Sequence, residues 1–178
     1  MDWDCEFQLK RILFNGTYKR ILCQNENGPC PLLAIANILI LKNILGISTK
    51  SSTIPASRII QVLANILIEQ EETRQKEQKE RHSCNNIDNN NNNNIESNIN
   101  TNTTPNVDIY VDSVFAQRRL EQMHCVIDTL PSLLYGLDVN VRFTDIDAFE
   151  YTQQMSILDA FDLKLFHGWC IDPAEVFY

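Results

Sequence analysis

Cys30 is the residue around which chemistry can be built. It stands just after a Gly28-Pro29 turn and just before Pro31, where the polar loop from Gln24 meets an apolar run starting at Leu32. Proline suits the first helical position, because its missing N–H costs nothing there and its φ is already set. The pattern therefore predicts a helix with Cys30 at its N-terminus, where unpaired N–H groups and the helix dipole favour negative charge. A thiol so placed has its pKa lowered and is available as a nucleophilic thiolate. The competing reading is a buried cysteine acting as a small hydrophobe. Gln24, six residues upstream in the same loop, carries an amide that can donate to the oxyanion formed when a thiolate attacks a carbonyl. Otherwise it is a solvated loop residue.

A thiol hydrolase also needs a base to take the thiol proton and return it to the leaving amine. The chain has three histidines, His82, His124 and His167. His82 ends a polar helical stretch and is expected to be exposed. His124, beside Cys125 among apolar neighbours, reads as a core or boundary residue. His167 falls in the segment LFHGW, expected to be a strand.

Several elements must position these groups. Gln8–Phe14 and Thr17–Leu22 flank Asn15-Gly16, the strongest short-range signal for a β-hairpin, and the second strand leads straight into the Gln24–Cys30 loop. The following helix, with apolar residues from Leu32 to Leu45 almost all round, is expected to lie buried at the centre of a domain. A turn-like stretch then leads to Pro55, expected to open a second helix with Ile59, Ile60, Leu63, Ile66 and Leu67 on its apolar face. That helix is expected to run on through EQEETRQKEQKER as a solvated extension held by side-chain pairs. Residues 85–106 hold twelve asparagines in twenty-two positions, a composition that cannot form a core and predicts a disordered insertion. Val114–Leu130 follows as a helix that Pro131 ends, then a strand at Val139–Phe143, a short helix at Met155–Phe161 and a strand at Leu163–Ile171. No regular βαβ repeat occurs, so the class is α+β, a helical core with a small mixed sheet.

Three blocks in order make the chain resemble one family. Gln24-Asn25-Glu26-Asn27-Gly28-Pro29-Cys30-Pro31-Leu32-Leu33-Ala34-Ile35 resembles the nucleophile loop of the MINDY deubiquitinases, and the likeness continues through GLDVNVRFTDIDAFEYT (Gly136 to Thr152) and LFHGWCIDP (Leu165 to Pro173). The resemblance implies a papain-like cysteine protease-type domain in two parts, 1–84 and 107–178, separated by the 85–106 insertion. It implies that Cys30 is the nucleophile, that Gln24 is the oxyanion donor, and that polyubiquitin linked through lysine-48 is the substrate. It also implies that Asp138, Val139 and Trp169 hold ubiquitin. Asp138 reads equally as a turn residue after Gly136, and Trp169 as a core residue. In this family the histidine base comes from a strand later than the HGW-x-x-DP segment, beyond Tyr178. His167 is thus only a weak candidate, and the expectation is a domain truncated before its base, with part of its core face exposed. The rival readings are a ubiquitin-binding module without turnover and a structural fragment with Cys30 buried.

Composition narrows the setting. Six cysteines without a C-x-x-C pair or a regular framework, and no secretory leader, point to free thiols in a reducing compartment, cytoplasmic or also nuclear. No Cys/His spacing suits zinc, and neither a metal nor a cofactor is expected. The apolar runs are too short for a membrane span. Net charge is −8, and residues 107–178 hold twelve acids against four bases. Such a surface excludes nucleic acid as a natural partner, since phosphate binding rests on Lys and Arg. It suits either a basic protein partner such as the arginine-bearing tail of ubiquitin, or simple solubility.

Overall fold

The computed structural model describes residues 5–24, 30–47, 50–88 and 106–168, with backbone alone at 30, 79, 81–88 and 106–113. The first two strands, β1 (Glu6–Phe14) and β2 (Thr17–Cys23), form the expected antiparallel hairpin. Asn15 and Gly16 both take positive φ, 47° and 74°, as a turn matched to the strand twist requires. A third strand, β3 (Thr53–Pro55), pairs with the other edge of β1, giving the order β2-β1-β3. Pro55 thus closes a strand, and the second helix opens one residue later.

Helix α1 (Cys30–Leu41) crosses the centre of the core. Leu32, Leu33, Ile35, Ala36, Leu39 and Ile40 are buried, but Ala34 is exposed and Ile38 is 40% exposed. Burial is therefore one-sided rather than all round. The helix also stops at Leu41, short of the expected Leu45, because Asn43 turns left-handed at φ 62°. Asn43 N–H then bonds Ile40 C=O (3.2 Å) and Ile44 N–H bonds Leu39 C=O (2.9 Å), the two-bond closure of a Schellman end with asparagine in the place glycine usually takes.

Helix α2 (Ala56–Asp88) buries Ile59, Leu63 and Leu67 and runs through the polar stretch as expected. That stretch is not solvated all round. Glu71 is buried, pairing with Arg119 at 3.7 Å and Arg74 at 4.0 Å, while Arg119 donates to Gln78 Oε1 at 2.9 Å. These bonds tie α2 to α3 (Asn106–Thr129), which begins eight residues before the expected start. Residues 85–88 are helical, so the expected 85–106 insertion narrows to 89–105, which lies outside the described residues.

Pro131 stands in a 3-10 helix, Leu130–Leu134, that buries Leu130 and Leu133 and packs against α1. A two-residue ladder follows, β4 (Asn140–Val141) with β5 (Phe149–Glu150), where a longer strand over Val139–Phe143 was expected. Last comes α4 (Met155–Ala160), ended by Asp162 at φ 51° in the same two-bond closure used by α1. No strand is assigned over 161–168, against the strand expected from Leu163. The class is α+β, with one core of α1, α2, α3, the 3-10 helix, α4 and the inner face of the sheet.

Candidate active site

The loop from Gln24 to Cys30 is anchored at both ends. Cys30 is the first residue of α1. Gln24 follows directly on β2 and is exposed. Residues 25–29 between them lie outside the described residues. What fixes the two ends relative to each other is Asn37, half-buried on α1. Its Oδ1 accepts from Leu22 N–H at 2.8 Å and its Nδ2 donates to Leu22 C=O at 3.0 Å. Because β2 is an edge strand, the outward backbone groups of Leu22 would otherwise face the core side unpaired, at a cost of about 1–3 kcal/mol each. Sequence reasoning passed over Asn37. Its signal is its type, a lone amide in the helical stretch Leu32–Leu41.

The second group of candidates gathers around the β4–β5 hairpin. Asp138 is exposed and Val139 half-buried. Asp138 N–H donates to Gln154 Oε1 at 2.5 Å, and its C=O accepts from Thr152 Oγ1 at 3.0 Å. Gln154 Nε2 in turn donates to Ser132 Oγ at 3.0 Å. Asp138 is thus held by its backbone, leaving its carboxylate outward. Trp169 lies outside the described residues.

His167 clamps the far end of that hairpin. Its backbone N–H donates to Ile146 C=O, and Nε2 donates to Asp145 C=O, both at 2.9 Å. The imidazole lies edge-to-face between Phe143 (centroids 5.8 Å apart) and Phe149 (5.6 Å). Nδ1 is buried and has no hydrogen-bond partner among the described residues. Nε2 facing a carbonyl must carry the proton, which leaves Nδ1 as an acceptor. A ring so held is a structural clamp. His124 is exposed on α3, correcting the expected boundary position, and His82 falls in α2 with its side chain outside the described ones.

A groove of about 670 Å³ opens between α2, α3 and α4, bordered by Glu71, Arg119, Cys125 and Tyr151. No candidate site residue lines it among those described. Cys5, Cys23 and Cys125 are free thiols. Among the described residues no group of His, Cys, Asp or Glu could hold a metal, and no helix is long and apolar enough to cross a membrane.

Comparison with known proteins supplies the family. The profile of the MINDY deubiquitinase family matches residues 5–115 and 92–177. The chain belongs to the MINDY deubiquitinase family. It is 30% identical to mouse (Mus musculus) ubiquitin carboxyl-terminal hydrolase MINDY-1 over 173 residues, covering 97% of this chain and 29% of the relative. Against human (Homo sapiens) MINDY-1 the identity is 30% over 165 residues, 93% of this chain and 28% of the relative. Mouse MINDY-2 is likewise 30% identical over 167 residues, covering 94% of this chain and 22% of the relative. This MINDY family member thus spans less than a third of the length of the curated relatives it matches.

Proposed function

We propose that the protein is a cysteine-type deubiquitinase of papain-like class, hydrolysing isopeptide bonds in polyubiquitin, with lysine-48-linked chains as its substrate. The observation that carries this reading is Cys30 opening a core helix, with Gln24 delivered to the same loop by β2, in a chain of this family. In this reading the Cys30 thiolate attacks the carbonyl of the ubiquitin C-terminal glycine, and the helix N-terminus favours the thiolate. The carbonyl oxygen becomes an oxyanion to which the Gln24 amide donates, a contact worth roughly 10²–10³-fold in rate. Collapse breaks the C–N bond, the lysine amine leaves with a proton, and water then hydrolyses the thioester. The outward carboxylate of Asp138, with Val139 and Trp169, receives ubiquitin.

The engagement of His167 Nε2 by Asp145 C=O favours a second reading, a ubiquitin-binding module without turnover. With His167 as clamp, proton transfer to the leaving amine belongs to another group. Incubation of the protein with lysine-48-linked tetraubiquitin separates the two. Cleavage that Cys30→Ala abolishes supports the enzyme. Binding of the chains without cleavage supports the module, and neither binding nor cleavage overturns both.

A further inference from the structure

We propose that Asn37 is a positioning residue that sets the distance between the oxyanion donor and the nucleophile. The inference rests on the reading of Gln24 and Cys30 given above. Asn37 behaves as a substitute strand. Leu22 pairs with Leu9 on its inner side of the sheet, and Leu9 N–H is turned the other way, to Ser52 C=O at 2.8 Å. The N–H and C=O of Leu22 therefore point away from β1, and one side-chain amide answers both, at 2.8 and 3.0 Å. Leu22 lies two residues before Gln24, and Asn37 lies seven residues, about two turns, after Cys30 on the same face-defining helix. The amide thus closes a ring: β2, the loop, the start of α1, and back to β2.

That ring has a chemical consequence. Apolar packing of Leu22 on α1 also joins donor to nucleophile, and the ring adds to it the directional bonds that fix their register. An oxyanion donor acts only when held at about 2.7–3.1 Å from where the negative oxygen forms. A misplacement of about 1 Å costs roughly 10²-fold. Two hydrogen bonds to adjacent atoms of one residue fix both translation and rotation of β2 against α1, which a single bond or apolar contact does not. Asn37 touches neither substrate nor the reacting atoms in this scheme. Its effect passes through Gln24.

The test uses a ubiquitin C-terminal thioester, whose thiolate leaves without needing a proton, so acylation of Cys30 reports oxyanion stabilisation separately from general acid catalysis. Asn37→Leu keeps the branched, four-heavy-atom shape of the side chain and removes both bonds. The expected result is acylation at saturation slowed about 10-fold or more, with the half-saturating ubiquitin concentration within about twofold of wild type. In a Gln24→Ala background the same change is expected to slow acylation by less than about twofold, because the two residues act as a unit. Losses that multiply in the double variant, or a lower melting temperature with unchanged acylation, would overturn the proposal. Should Asn37→Leu fail to fold, Asn37→Ser carries the same comparison. Hydrogen exchange at the Leu22 amide in the wild type judges the clamp without ubiquitin, since rapid exchange there would refute it. If the wild type is not acylated at all while Leu22 is protected, the deubiquitinase reading fails and, with it, the catalytic role of a clamp that is nonetheless real.

Discussion

The imidazole of His167 makes commitments that a proton shuttle cannot keep. Nε2 is spent on Asp145 C=O, the ring lies edge-to-face on two phenylalanines, and Nδ1 is buried. His167→Ala should therefore destabilise, by roughly 1–3 kcal/mol from the hydrogen bond and the aromatic edges together. It should leave the pH profile of Cys30 alkylation by a small thiol reagent unchanged. Denaturant melts and iodoacetamide rates across pH test both halves, and a displaced pH profile would mean that His167 addresses the thiol after all. At this scale the sequence was only partly legible. Cys30 and Gln24 draw attention as a thiol and an amide in one loop before an apolar helix, although a buried cysteine and a solvated amide fit the same pattern. Asn37 did not, since periodicity counts apolar residues and passes over the one amide that satisfies an edge strand. Whether His124 lay inside or outside was equally hidden, because its helix offers apolar neighbours in sequence that do not face the same way in space.

The elements were easier to read where local chemistry decides them. Asn15-Gly16 sets a hairpin through backbone geometry that little else tolerates, and it formed where expected. Helix ends were misjudged where an asparagine did glycine's work. Asn43 ends α1 at φ 62°, and left-handed φ costs a typical L-residue about 1–2 kcal/mol. Asn43→Val should accordingly lower stability by about that amount, whereas Asn43→Gly should stay within about 0.5 kcal/mol of wild type. Urea denaturation of the two variants compares them directly, and equal losses would show that the conformation of this residue does not limit the helix end. The packing of α2 against α3 was missed for a related reason. The α2 residues that bond Arg119, Glu71 and Gln78, are polar, so burial of Glu71 left no hydrophobic trace. The last segment reads as a strand by composition, yet residues 163–168 form no strand, and His167 meets the hairpin through its backbone N–H and a ring nitrogen.

On the scale of the whole molecule, the α+β class followed from the order of elements, and the core formed from the apolar positions of α1 and α2 that the pattern marks. The asparagine-rich stretch 89–105 holds only two isoleucines, Ile95 and Ile99. Replacing residues 89–105 by a Gly/Ser linker of similar length should keep the melting temperature within about 2 °C, because loop closure depends weakly on what fills the loop. A fall of many degrees in a calorimetric scan would show that this stretch contributes packing. The account as a whole turns on one thiol being the nucleophile that meets ubiquitin. The most direct measurement is reaction of the protein with ubiquitin bearing a C-terminal electrophile, read by intact mass and peptide mapping. A single ubiquitin joined to Cys30, and no adduct with Cys30→Ala, is the predicted result. An adduct on Cys23 or Cys125, or one that survives Cys30→Ala, would contradict it.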